Sequence, residues 1–195
     1  DRLIRVGIRR LLRDRIARSR RENHDLDAFV RDLRASPLAV NTADANRQHY
    51  EAPPEFFQYV LGPRLKYSCC HYDGPESELA EAEDSMLRLT CHRAGIEEGQ
   101  SVLELGCGWG SLSLWMAQQY PNSRITAVSN SHRQRRFILD RASEFGVQNL
   151  QVETADMVDY RPDGVFDRIV SVEMFEHMRN YQMLFSRVAE WLAPE

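Results

Sequence analysis

What the chain lacks narrows the possibilities first. No apolar run approaches the roughly 18 residues of a membrane span, and no secretory signal pattern is present. The four cysteines, Cys69, Cys70, Cys91 and Cys107, show no metal-ligand spacing. Cys69 and Cys70 are adjacent and poorly placed to bridge each other. Reduced thiols in a cytoplasmic protein without a metal are therefore expected. Internal repeats and low-complexity tracts are missing too. What remains is ordinary: 195 residues, 43% apolar and 28% charged, enough for one well-filled domain with an appendage. The chain begins at Asp1 without a methionine, so its start is expected to lie inside a longer gene product.

Further absences decide the ligand class. Residues 101–105, SVLEL, read as a buried strand. They run into Gly106, Gly108 and Gly110, and then Leu112, Leu114, Trp115 and Met116 begin a helical pattern. Strand, glycine turn and helix open a nucleotide-binding α/β fold, whose ligand sits beyond the carboxyl ends of the strands. A dinucleotide fingerprint needs a third glycine where Ser111 stands, and an acid about 20 residues on. That region reads Val128-Ser129-Asn130. No lysine follows the glycines, so the phosphate loop of nucleotide hydrolases is missing. A phosphate ligand is poorly supported. E-x-G-x-G-x-G is instead the spelling of the first motif of S-adenosylmethionine (SAM) methyltransferases, where glycines serve close backbone approach.

The rest of the chain supplies matching elements. Strands are expected at 124–128, 150–154 and 166–172, with helices at 110–119, 131–145 and about 180–192. A further helix runs from Ser77 to Gly95. Alternating strands and helices predict a parallel sheet. Ahead of it, residues 1–21 carry nine arginines against Asp1 and Asp14, a local net of +7 in a chain of net −4. Ile4, Ile8, Leu11, Leu12 and Ile16 share one face of that stretch. The favoured reading is a helix that docks its apolar face and solvates its arginines. The alternative is peripheral contact with an anionic membrane. Aromatics for base stacking are lacking there, so no nucleic-acid partner is expected. A short helix at 25–34 and another starting at Pro53-Pro54 follow. Residues 66–72, KYSCCHY, form either a packed cap or a lid over the ligand. The expected division is a helical cap and lid at 1–75 and a ligand-binding core at 76–195.

Glu173, Glu176 and His177 directly follow the fourth strand, where such folds place chemistry. If a helical turn begins there, their spacing sets all three on one face. A histidine can take the proton that an amine must lose before it attacks an electrophile, and a neighbouring carboxylate can orient it.

HYEAPPEFF, KYSCCHY, LELGCGWGSLSL, AVSNSHRQ and VSVEMFEHMRNYQ occur here in this order. In these stretches the chain resembles the cyclopropane fatty acid synthase and coclaurine N-methyltransferase family of SAM-dependent enzymes. The resemblance implies a Rossmann-like class I SAM methyltransferase sheet with an α-helical N-terminal extension. It implies cofactor contacts from Tyr67, Ser68, Glu104, Gly106, Gly108, Gly110, Ser129 and Asn130. Gln134 would hold the ribose in place of an acid, and Asp156 and Met157 would frame the adenine. It implies a Glu176–His177 pair at the acceptor, with Glu173 available to a substrate ammonium. The expected reaction is methyl transfer from SAM to a small amine, leaving S-adenosyl-L-homocysteine (SAH). The alternative is cyclopropanation of an unsaturated membrane lipid, with bicarbonate held by Cys69 and Glu176. A non-catalytic SAM-binding or interaction module is the third reading. The family pattern would continue past Glu195 into further strands, so the sheet is expected to be truncated after strand four. Its last strand is then an unpaired edge, to be completed by missing residues or by a partner such as a second copy.

Overall fold

The computed structural model describes residues 1–21, 25–40 and 53–194. The chain forms two compact units, Asp1–Ser36 and Pro37–Glu195.

The first unit holds α1 (Arg2–Arg21) and α2 (Leu26–Ala35). The Asp25 side chain caps α2 by accepting the Ala28 N–H at 2.9 Å. Neither helix has a buried residue. The expected burial of the apolar stripe of α1 is not found within this unit, and Leu3 and Leu11 are 88% and 72% exposed.

The second unit opens with α3 (Pro54–Val60), begun by Pro53-Pro54, and α4 (Leu79–Ala94), which stops at Gly95 in the left-handed region. Then come β1 (Ser101–Leu105), α5 (Ser111–Gln119), β2 (Arg124–Ser129), α6 (His132–Glu144), β3 (Leu150–Thr154), β4 (Arg168–Val170) and α7 (Tyr181–Trp191). The four strands pair in parallel in the order β3-β2-β1-β4. Leu103 at the centre faces Thr126 on one side and Ile169 on the other.

Both faces of the sheet are covered, as a parallel sheet requires. Val102, Ile125 and Val170 pack with Leu87 and Cys91 of α4 and Trp115 and Met116 of α5. Leu103, Leu105 and Val128 point the other way, onto Tyr160, Phe166 and Trp191. The period-2 alternation along β1 thus assigns each residue to its own helical layer.

The described residues of 37–75, a stretch read from the sequence as part of a cap, belong to the compact unit of the sheet. Phe57 and Leu65 are buried against Trp109 of the glycine turn, with the Phe57 and Trp109 ring centroids 4.8 Å apart.

The fourth strand is shorter than the expected 166–172. Ladder pairing ends at Val170, and the Ser171 hydroxyl instead donates to the Leu105 carbonyl at 2.8 Å. The order leaves β4 at the edge of the sheet, and pairing is seen just ahead of it. Phe166 N–H donates to the Trp191 carbonyl, and Ala193 N–H to the Phe166 carbonyl, each at 2.8 Å. This parallel bridge sets the chain after α7 beside the segment that leads into β4.

Candidate active site

A cavity of about 510 Å³ opens where β1, β2 and β4 end. Each strand delivers a polar residue as it leaves the sheet: Glu104 from β1, Ser129 and Asn130 from β2, Asp156 from the loop after β3, and Glu173 from the segment after β4.

The glycine turn shapes its floor. Gly106 and Cys107 both donate to the Val128 carbonyl at 3.0 Å, which ties the turn to β2. Gly106 has φ +81°, and a Cβ there would lie 2.6 Å from the Met174 side chain. A glycine at 106 therefore lets the segment after β4 close over the end of β1. Gly108, at φ +53°, faces open space into the cavity. Gly110 does not reach the cavity. It begins α5 at φ +82°, and a Cβ would lie 2.7 Å from Ile138 of α6. Its role in the structure is helix packing.

Beside this floor stands the buried side-chain amide of Gln134. Ser131 N–H donates to the Ser129 hydroxyl at 3.0 Å, and that hydroxyl donates to Gln134 Oε1 at 2.6 Å. Gln134 Nε2 is left buried with no hydrogen-bond partner among the described residues. So is the Ser111 hydroxyl at the start of α5. Two buried polar groups lining one cavity without partners call for a ligand with matching hydroxyls or carbonyls. Ser111 escapes the sequence reading, because there it only marked a missing glycine.

Glu104 is 3% exposed and accepts the Ser113 hydroxyl. Burial pushes its carboxyl up to about 7, against the pull of Ser113 and of the Lys66 ammonium. Asp156 turns its carboxylate onto the Val158 N–H at 2.8 Å, which shapes the loop that carries Met157 to the cavity.

The segment after β4 departs from the helical expectation. Glu173 adopts φ +55°, and only Phe175–His177 form a single 3₁₀ turn. Glu173 and His177 both line the cavity, and Glu176 does not. Neighbouring residues of a 3₁₀ turn project about 120° apart, so Glu176 and His177 take different directions. Cys69 is exposed and also lies outside the cavity wall. Tyr67 and Ser68 line it, as do Gly106, Gly108, Ser129, Asn130, Gln134, Asp156 and Met157. Val172, Met174, Met178, Leu87 and Val40 add an apolar wall that sequence periodicity assigned only to the core or to a connector.

The chain is similar to known proteins over most of its length. (S)-coclaurine N-methyltransferase of Thalictrum flavum subsp. glaucum is 41% identical over 167 residues, 86% of this chain and 46% of that protein. Cyclopropane-fatty-acyl-phospholipid synthase of Escherichia coli (strain K12) is 34% identical over 151 residues, 76% of this chain and 38% of that protein. The crystal structure of coclaurine N-methyltransferase bound to N-methylheliamine and SAH superposes with a TM-score of 0.87 at 37% identity, covering 95% of this chain and 56% of that one. The chain spans about half the length of the curated relatives it matches. A parallel sheet with its cavity at the strand ends gives the chain the fold of the class I SAM methyltransferases. Within that class, with residues 39–195 matched, it belongs to the mycolic acid cyclopropane synthetase family.

Proposed function

We propose that this chain is the cofactor-binding part of a SAM-dependent N-methyltransferase acting on a small amine. The observation that carries the reading is one cavity lined by Gln134 and Asp156 and also by Glu173 and His177.

The residues present fit the cofactor. The orphaned Gln134 Nε2 suits a ribose hydroxyl, and Met157 and Asp156 suit an adenine face and edge. Glu104 suits the ammonium of the amino-acid end. Tyr67, Ser68, Ser129 and Asn130 complete the cofactor's wall. When bound, SAM supplies an electrophilic methyl on a sulfonium. The chain must then hold an acceptor nitrogen in line and remove its proton. His177 is the base in this reading, Glu173 attracts the incoming ammonium, and Glu176 steadies the turn that carries His177.

The amine reading draws support from coclaurine N-methyltransferases among the similar proteins. The lipid reading draws on the family itself and on the synthase match. It would need bicarbonate between Cys69 and Glu176, and neither lines the cavity. The reading extends to a cytoplasmic protein whose α1 offers its arginines to an anionic membrane surface. No described helix is long and apolar enough to cross a membrane.

The test is a pH–rate profile of His177→Ala with amine and unsaturated-lipid acceptors run in parallel. Turnover on the amine should fall by about 10²- to 10⁴-fold. The loss should shrink as pH rises and free amine becomes abundant. An undiminished rate on every acceptor would remove His177 from the mechanism.

A further inference from the structure

Of the 25 basic residues in this chain, 24 are arginines and one is a lysine, Lys66. The arginines described here are exposed or partly exposed, whereas Lys66 is 7% exposed and lines the cavity. Its ammonium donates to the Ser68 hydroxyl and lies close enough to Glu104 to pull that carboxyl's pKa down. Burying an ammonium is costly unless it is paired. A chain that otherwise uses only guanidinium groups has placed its one compact point charge here.

The backbone around Lys66 is built to keep it there. Glu83 of α4 is fully buried, and its carboxylate accepts the N–H of Arg64 at 3.0 Å and of Lys66 at 3.3 Å. A Cβ at Gly62 would strike that carboxylate at 2.5 Å, so the loop wraps Glu83 as closely as glycine allows. Arg64 grips Asp84 through two nitrogens, at 2.6 and 3.1 Å. Leu65 is held at φ +51°, a left-handed conformation that a non-glycine residue rarely adopts. Strain at a residue over-determined by its surroundings is common beside ligand sites.

We infer that Lys66, with Ser68, is the site for the carboxylate of the cofactor's amino-acid end. Glu104 faces it as the site for the neighbouring ammonium. The zwitterion would thus meet a cation and an anion placed in matching order within one buried wall. This assignment rests on the SAM reading above.

Calorimetric titration of wild type and Lys66→Met with SAH and with 5′-methylthioadenosine, which lacks the amino-acid end, separates the two claims. Lys66→Met should weaken SAH binding roughly 10- to 100-fold, the range for a hydrogen bond to a charged group. It should leave 5′-methylthioadenosine binding unchanged, which also shows that the variant is folded. Equal loss of both ligands, or of neither, would overturn the role of Lys66 and leave the cofactor reading standing. Wild-type protein that binds neither nucleoside would overturn both. A second measurement needs no variant. Mass spectrometry after reductive methylation reports on the single lysine directly, and SAH should shield Lys66 where 5′-methylthioadenosine does not. Equal shielding by the two would count against the assignment.

Discussion

Glu104 carries the conflict between burial and chemistry at the residue scale. Its carboxyl ordinarily titrates near 4.5 and is pushed up to about 7 in the fold. Between those values the folded state holds a proton that the unfolded chain has released. Its contribution to stability is therefore greatest below pH 4.5 and is lost as pH rises to 7. The full swing corresponds to roughly 3 kcal/mol. Glu104→Gln should flatten this part of the profile, so the wild-type-minus-variant difference in urea unfolding free energy should fall between pH 5 and 7. A constant difference over that range would mean Glu104 titrates normally. The sequence located Glu104, because a carboxylate before alternating glycines is a local pattern. It gave no warning of Lys66 or Ser111, whose significance comes from burial and from missing partners, both tertiary facts. Gln134 lies between these cases. A resemblance pointed to it, and its orphaned amide nitrogen became visible only in the folded structure.

The short elements were read from local patterns, and they were legible where those patterns ran uninterrupted. Residues 150–154 were expected as a strand and form β3 with those limits. The fourth strand was over-read because FDRIVSV stays apolar beyond the point where pairing stops. The turn after it was misjudged because spacing of three and four presumes a helix. Glu173 instead takes a left-handed conformation, while Gly106 lets Met174 pack onto the end of β1. Gly106→Ala should therefore do more than strain φ. It should displace Met174 and the turn carrying His177, lowering stability by about 1–3 kcal/mol. Thermal unfolding together with the amine rate would show this, and an unchanged rate would mean the turn does not lean on Gly106. The 62–66 loop makes a second case. Glu83→Ala would leave two loop N–H groups without their acceptor, at about 1–3 kcal/mol each. A loss below 1 kcal/mol in urea unfolding would show that the clamp is dispensable.

The whole molecule divides at residue 36, and every described cavity-lining residue lies between Val40 and Met178. Removing residues 1–36 should therefore leave SAH affinity within about twofold of the intact chain. A large loss would assign the first unit a part in the site. The parallel sheet was legible from the alternation of strands with helices. The packing of residues 57–65 against that sheet's glycine turn was not, because it depends on Phe57 and Leu65 meeting Trp109 across a long stretch of chain. The claim on which every other rests is that the cavity at the strand ends is a SAM site rather than a dinucleotide or phosphate site. One calorimetric comparison tests it: the protein titrated with SAH and, separately, with NAD. The account predicts saturable one-to-one binding of SAH and no heat of binding from NAD. Saturable binding of NAD with none of SAH would contradict it.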